Sequence, residues 1–135
     1  MRPGRTLTLL ILSASAASCA ATTYDTAITT VKPAPTTTVL PTGSADVLLP
    51  KLVTEAATLS SLIADHGDKL AAVERIEALW AAVSAEVTGK APDLATEIGA
   101  EIVKGRDAAV LNRPAAADKV YRNLNALVKA YLAAA

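Results

Sequence analysis

The sequence predicts an all-α protein: an antiparallel up-down four-helix bundle, preceded by a signal peptide and a disordered Thr/Pro-rich linker. Three observations predict it. From Asp46 onward, apolar residues recur every three or four positions, which is the period of an amphipathic helix. Alanine, the strongest helix former, is abundant, whereas phenylalanine is absent. The periodic segments are joined by only two to five residues, which favours antiparallel neighbours.

The N-terminal segment, residues 1–18, has the order of a secretory signal peptide. Arg2 and Arg5 give it a positive start, an apolar run follows from Thr6 to Leu12, and small residues follow that run. The apolar run is far shorter than the ~20 residues that a membrane-spanning helix needs. We therefore expect this segment to direct export and not to belong to the fold.

The next segment, residues 19–45, begins with Cys19 and continues as a Thr/Pro/Ala tract. It has no helical or strand period, its prolines interrupt regular structure, and few of its residues are apolar enough to build a core. We interpret it as a disordered tether and residues 46–135 as the folded domain. A flexible chain of this length spans roughly 25–30 Å, which would hold a small domain clear of a membrane surface.

The first two helices are predicted from apolar stripes and from residues that favour helix ends. Helix 1 runs from about Val47 or Pro50 to Asp65, because proline suits a first turn. Helix 2 follows Asp68, a favourable N-cap, and ends near Thr88. The predicted core stripes are Leu49, Leu52, Val53, Ala56, Leu59, Leu62 and Ile63 in helix 1, and Leu70, Val73, Ile76, Trp80, Val83 and Val87 in helix 2.

The last two helices are predicted in the same way. Helix 3 begins near Pro92 and stops at Asn112, because the residue before a proline is biased away from the helical conformation. Helix 4 begins at Pro114 or Ala115 and has the cleanest amphipathic pattern of the chain. The predicted stripes are Leu94, Ile98, Ile102 and Val110 in helix 3, and Ala117, Val120, Tyr121, Leu124, Leu127, Val128, Tyr131 and Leu132 in helix 4.

Charge and residue usage exclude several functions. Without residues 1–18 the chain keeps 11 basic and 13 acidic residues, a net charge of −2, which argues against nucleic acid and against a polybasic grip on anionic lipid. It then contains one histidine, His66, one cysteine, Cys19, and no methionine. Structural zinc, soft metals and haem need more such ligands. We therefore expect no enzyme, no catalytic residues and no cofactor other than a lipid on Cys19 or a hard cation.

Carboxylates are the remaining candidate ligands. Asp93, Glu97 and Glu101 recur every four residues, so that they line one flank of helix 3, where like charges repel. Such a row can hold a hard cation, which prefers oxygen ligands. Alternatively, Asp93 and Glu97 favour the positive end of the helix dipole, and Glu101 pairs with Lys104 or is solvated.

Two further places carry candidate ligands, each with a structural alternative. Glu77 lies one turn before Trp80, beside the expected core, where it either lines a pocket or pairs with a basic residue such as Arg75, Lys119 or Arg122. The helix 1–2 turn, residues 65–68 (DHGD), either offers two carboxylates and an imidazole to a metal or caps the two helices. In the capping interpretation Asp68 is the N-cap of helix 2 and Gly67 the stop of helix 1.

The residues before the cysteine carry a resemblance to a known class of protein. Ala16-Ala17-Ser18-Cys19 resembles the lipobox of bacterial lipoproteins, with alanine where leucine is usual at the first position. The resemblance implies that a diacylglycerol is attached to Cys19, that a peptidase cuts just before it, and that the lipid holds the chain at the extracytoplasmic face of the cell membrane. Two or more acyl chains give stable anchoring. Ordinary secretion is the alternative, with cleavage after Ala14-Ser15-Ala16 and a lone thiol at Cys19.

A second resemblance concerns the helices. Residues 75–83 (RIEALWAAV) and 112–128 (NRPAAADKVYRNLNALV) look like the helical extracytoplasmic domains that accompany bacterial high-affinity iron permeases. The metal signatures of that family, R-E-G-L-E and G-x-H-x-x-E, are missing, so no ligand is carried over. The resemblance implies an accessory to cation uptake, with carboxylates as the available ligands and a permease or other envelope protein as the partner.

Together these observations predict a non-enzymatic, membrane-anchored lipoprotein that acts as an interaction or accessory module of the cell envelope. The alternative is an extracytoplasmic protein that binds a metal cation or small ligand and serves iron uptake. Its candidate ligands are Asp93, Glu97, Glu101 and Glu77.

Overall fold

The computed structural model describes residues 39–134; the predicted signal peptide, Cys19 and most of the predicted tether lie outside this range. The described residues form four helices and no strand, which confirms the predicted all-α class for this part of the chain. The helices are α1 (Ala45–Ala64), α2 (Lys69–Lys90), α3 (Pro92–Val110) and α4 (Pro114–Ala134).

The four helices pack as a helical bundle around one apolar core. Helix α1 packs against α2 and α4, and α3 packs against the same two helices, whereas α1 and α3 touch only slightly across the centre. All four helices contribute buried side chains, which removes their apolar faces from water and drives the packing. The largest fully buried side chains are Tyr131, Leu48, Leu49, Leu52, Leu59, Ile98, Leu124, Val83 and Val87.

Helix α1 begins earlier than the sequence predicts. Its first residue is Ala45, not Val47 or Pro50, so that Pro50 lies inside the helix. The preceding Ser44 makes no side-chain cap. Instead, the Ala45 N–H donates to the Glu86 carboxylate of α2 at 2.8 Å. A residue 41 positions away thus satisfies one of the first N–H groups of α1, and no local pattern could have predicted this cap.

Helices α1 and α3 end in the same left-handed turn. After α1, His66 has a φ of 55°, and the Gly67 N–H donates to the Leu62 carbonyl at 2.8 Å. This six-residue closure is a Schellman motif. After α3, Asn112 takes the same conformation, with a φ of 52°. The end of α1, which the sequence assigned to Gly67, therefore lies at this turn, but the residue in the left-handed conformation is His66.

The connections on either side of α2 differ in length and mechanism. At the start of α2, the Ala71 N–H donates to the Asp68 carboxylate at 3.2 Å, which confirms Asp68 as the predicted N-cap. At its end, Ala91 alone joins α2 to α3 and terminates one helix while beginning the next. The α1–α2 and α3–α4 turns contact each other, because the Lys69 ammonium donates to the Asn112 side-chain carbonyl.

Three residues of the predicted core stripes are exposed. Leu70, Val110 and Leu132 face solvent, whereas Leu79, outside the predicted stripe, is buried. Val110 lies 16 positions after Leu94. At about 100° per residue this separation turns the side chain by about 160° from the start of its stripe. The predicted core is wrong at all three positions. At Val110 the reason is this angle, which places the side chain on the face of α3 away from the core.

Of the described helices, α1 alone is long and apolar enough to cross a membrane by length and composition. A core helix of a bundle passes the same test. In α1 the leucines at positions 48, 49, 52 and 59 are buried against the other helices, whereas Val47 is half exposed, and 33% of the apolar window is buried.

Candidate functional site

The predicted row of carboxylates on α3 does not stay on one face. Asp93 lies exposed in the first turn, where it favours the helix dipole, and Glu97 is also exposed. Glu101 is only 7% exposed and belongs to the buried face of α3. A row of residues four apart turns by about 40° per step in an α-helix. Over two steps the row moves from solvent into the interface with α4.

Glu101 is the one buried charged residue in the described part of the chain. Its Oε1 accepts from the Lys104 ammonium at 2.6 Å, as the structural alternative predicted. Its Oε2 is buried and accepts no hydrogen bond from the described residues. Since the Lys104 side chain is 62% exposed, the carboxylate is neutralised from the solvent side only.

Two cavities adjoin Glu101 between α3 and α4, and we call them together the α3–α4 groove. The larger has a volume of about 400 Å³ and includes Glu97 in its wall. The smaller has a volume of about 240 Å³ and includes Lys119. Glu101, Lys104 and Asn123 line both cavities. The groove therefore has an acidic residue at one end, a basic residue at the other, and an ion pair between them.

Glu77, the fourth predicted ligand, lies elsewhere. Its carboxylate pairs with Arg106 of α3 and is about one-third exposed. The predicted pairing of Glu77 with Arg75, Lys119 or Arg122 is therefore wrong. Arg75 instead pairs with Glu55 of α1 at 2.9 Å. The face of α2 that bears Glu77 is turned toward α3, and this orientation follows from the packing of the helices and not from the local sequence.

A second groove, between α1 and α2, was not predicted. Its volume is about 600 Å³, and Ala71, Ala78 and Leu79 of α2 form part of its lining. The Glu55–Arg75 ion pair also lines it. The two alanines lie seven residues apart, on one helical face, and their small side chains leave space where α1 passes. The spacing of these two alanines is the only feature of the sequence that indicates a groove between α1 and α2.

The predicted metal ligands do not come together. Among residues 39–134, no three or more histidine, cysteine, aspartate or glutamate side chains gather closely enough to hold a metal ion. Glu97 and Glu101 share the α3–α4 groove, whereas Asp93 is not part of its lining. In the α1–α2 turn, the capping interpretation is confirmed for Asp68, and His66 is exposed.

The chemistry that the α3–α4 groove offers is hydrogen bonding and charge pairing with both signs of charge. Two carboxylates, two ammonium groups and the Asn123 amide line it.

Comparisons with known proteins gave no match: no protein-family model, no curated protein and no solved structure matches this chain.

Proposed function

We propose that this chain is a non-enzymatic lipoprotein that presents a helical domain at the extracytoplasmic face of the cell membrane, as an interaction or accessory module of the envelope. The observation that carries the proposal is the order of residues before Cys19: two arginines, a short apolar run, and small residues up to the cysteine. Residues 19–44 serve as the tether, and the domain begins at Ala45, the first residue of α1.

The domain is proposed to be an antiparallel up-down bundle. Two contacts support this arrangement. The first residue of α1, Ala45, bonds to Glu86 near the end of α2. The α1–α2 turn bonds to the α3–α4 turn through Lys69 and Asn112. The connections are short, and each helix packs against the two neighbours that an up-down order requires.

The anchor is tested by membrane fractionation of the full chain and of its Cys19→Ser variant. The unmodified chain should sediment with membranes, resist carbonate washing and enter solution only in detergent, because acyl chains hold it. Mass spectrometry should find a mature N-terminus at Cys19 carrying a diacylglycerol. Cys19→Ser should be released from the membrane fraction.

The same variant distinguishes a lipid anchor from a membrane-spanning helix and from secretion without lipid. If α1 crossed the membrane, Cys19→Ser would remain bound after carbonate washing, and the lipid-anchor proposal would be wrong. If the chain is secreted without lipid, the mature N-terminus follows Ala16, the thiol is free, and the unmodified chain is released as well. The Cys19→Ala variant serves as a second substitution with the same expected release.

A second candidate function is the binding of a hard cation as an accessory to uptake. One observation favours it: Glu97 and Glu101 line the same groove, and one oxygen of Glu101 lacks a donor. The Lys104 ammonium on the other oxygen, however, repels a cation.

The cation-binding function is tested by calorimetric titration of the full chain in detergent with Fe(III), Ca(II), Mn(II) and Zn(II). Binding of one ion that is lost in Glu97→Gln and kept in Glu74→Gln, a control on the exposed surface of α2, would support this function. If no ion releases heat or shifts the melting temperature, the cation-binding function is rejected.

A further inference from the structure

The groove between α1 and α2, which we call the α1–α2 groove, is larger than either cavity of the α3–α4 groove. Its volume is about 600 Å³, and its α2 wall includes Ala71, Ala78 and Leu79. An alanine side chain ends at Cβ, so that the wall recedes at both alanines and leaves room for other side chains. Apolar walls in contact with water favour an apolar occupant. The groove is therefore a position for apolar side chains that the described residues do not fill.

A short apolar segment adjoins this groove. Residues 39–44 precede α1, and we call them the arm. Val39 and Pro41 of the arm line the groove. Val39 is nevertheless 84% exposed, and its neighbour Leu40 is 48% exposed. Apolar surface that is exposed in one place marks an interaction site, whereas scattered exposed residues do not. One face of the domain thus carries both a projecting apolar arm and a groove that accepts apolar side chains.

The shape and charge of this face indicate that its partner is a second copy of the chain. A twofold dimer needs a surface that is complementary to itself, because the same patch of both copies meets. Here the arm is the projection and the groove is the matching depression. Two basic and two acidic residues line the groove, so that two copies meet without net repulsion.

The ion pair in the groove also suits a twofold contact. The Arg75 Nε donates to the Glu55 carboxylate at 2.9 Å, and both side chains are partly exposed. A guanidinium has five N–H donors in a fixed arrangement, and a carboxylate accepts from more than one. A twofold axis that passes between these two side chains brings Arg75 of each copy toward Glu55 of the other. The charges are then complementary across the contact as well as within each copy.

We propose that the chain forms a weak twofold dimer through the arm and the α1–α2 groove. Val39 and Leu40 of each copy pack against Ala71 and Ala78 of the other. A standard interface uses about 20–30 residues on each side, whereas ten residues line this groove, so that the dimer forms only as the concentration rises. The proposal goes beyond the lipoprotein function and does not depend on the lipid anchor.

Sedimentation equilibrium of the full chain in detergent tests the proposal. Detergent micelles are kept in large molar excess, so that two chains do not share a micelle by chance. Between about 1 μM and about 1 mM, the protein mass per particle should rise from one chain to two and no further. The Cys19→Ser variant should associate to the same extent, because the contact lies in the arm and the helices.

Two variants test the arm and the groove separately. Val39→Lys brings an ammonium to the apolar groove of the other copy, and Ala78→Glu puts a carboxylate in the groove wall. Each variant alone should dimerise at least about tenfold more weakly than the unmodified chain. An equimolar mixture should dimerise more tightly than either variant alone. Its mixed dimer has one unmodified contact, and at the other contact the introduced ammonium and carboxylate face each other.

Val103→Lys is the matched control. Val103 of α3 is 59% exposed and does not line the α1–α2 groove. This variant carries the same change of residue type as Val39→Lys and should dimerise as the unmodified chain does. Circular dichroism verifies that each variant is folded.

Three outcomes overturn the proposal. The first is the mass of one chain at every concentration. The second is association that Cys19→Ser removes, or that Val103→Lys weakens and Val39→Lys does not, which would place the contact at the anchor or on another face. The third is an equimolar mixture of Val39→Lys and Ala78→Glu that dimerises no better than either variant alone, which would show that the arm of one copy does not meet the groove of the other.

Discussion

Two buried side chains in the described part of the chain keep a polar atom without a hydrogen-bond partner: Glu101 and Tyr131. The sequence singled out Glu101 because like charges recur every four residues on α3. It did not predict that Glu101 would be the member of the row inside the α3–α4 interface. Tyr131 was predicted in the core stripe of α4 and is 1% exposed. Its ring is suited to the core, but its hydroxyl is not.

The first prediction concerns this hydroxyl. Tyr131→Phe should leave the free energy of unfolding unchanged or raise it by about 1 kcal/mol, because a buried hydroxyl without a partner costs about 1–3 kcal/mol. Urea denaturation at pH 7 measures the difference. Tyr121→Phe, at a half-buried tyrosine of the same helix, is the control and should change stability by less than about 0.5 kcal/mol. A loss of more than about 1 kcal/mol in Tyr131→Phe would mean that the hydroxyl has a partner.

At the scale of elements, the helix ends show how far local sequence determines structure. Asp68 caps α2 by accepting a hydrogen bond from Ala71, three residues away, and the sequence predicted this cap. The N-terminus of α1 depends on Glu86 of α2, whose other oxygen accepts from Lys90 at 3.0 Å. The Ala45 N–H, and after it the Lys90 ammonium, lower the pKa of the Glu86 carboxyl below its ordinary value.

The second prediction follows from this pKa. A carboxyl with a lower pKa in the folded state stabilises the protein above its ordinary pKa of 4.5, and the stabilisation is lost as the pH falls through the folded-state pKa. Glu86→Gln should therefore lower the melting temperature at pH 7, and the difference from the unmodified chain should shrink below pH 4.5. Thermal melts from about pH 7 to about pH 3 test this.

Glu74→Gln is the matched control for the pH series, since Glu74 is an exposed glutamate of the same helix. Its melting temperature should follow that of the unmodified chain at every pH. A Glu86→Gln profile parallel to the unmodified profile over the whole range would show that the contact with Ala45 does not stabilise the folded state.

At the scale of the whole molecule, one core joins all four helices, so that the domain should unfold in a single cooperative transition. The third prediction compares one substitution at two positions. Leu52→Ala, at a fully buried leucine, should cost about 2–5 kcal/mol of unfolding free energy. Leu70→Ala, at a leucine that is 53% exposed, should cost less than about 0.5 kcal/mol. Equal losses in denaturant titrations would contradict the described core.

The fourth prediction tests the proposed up-down order. In a Cys19→Ser background, cysteines at positions 69 and 112 (Lys69→Cys and Asn112→Cys) should be joined by a short flexible bismaleimide cross-linker, because the four-carbon stem of Lys69 reaches the Asn112 side chain. The pair Thr88→Cys and Asn112→Cys is the control. It should not be cross-linked, because Lys69 and Thr88 lie near opposite ends of α2, about 30 Å apart at a rise of about 1.5 Å per residue. Cross-linking of the control pair alone would contradict the antiparallel order.

Within residues 39–134, the sequence by itself determined the class of the fold, the number of helices and most helix ends, because helical period, proline and N-cap preference act over three or four neighbouring residues. Only the tertiary structure decided the first residue of α1, the pairing of Glu77 with Arg106, and the burial of Glu101 between two cavities. Each of these depends on which faces of two helices meet. That choice is made by the packing of the whole core, which no local pattern encodes.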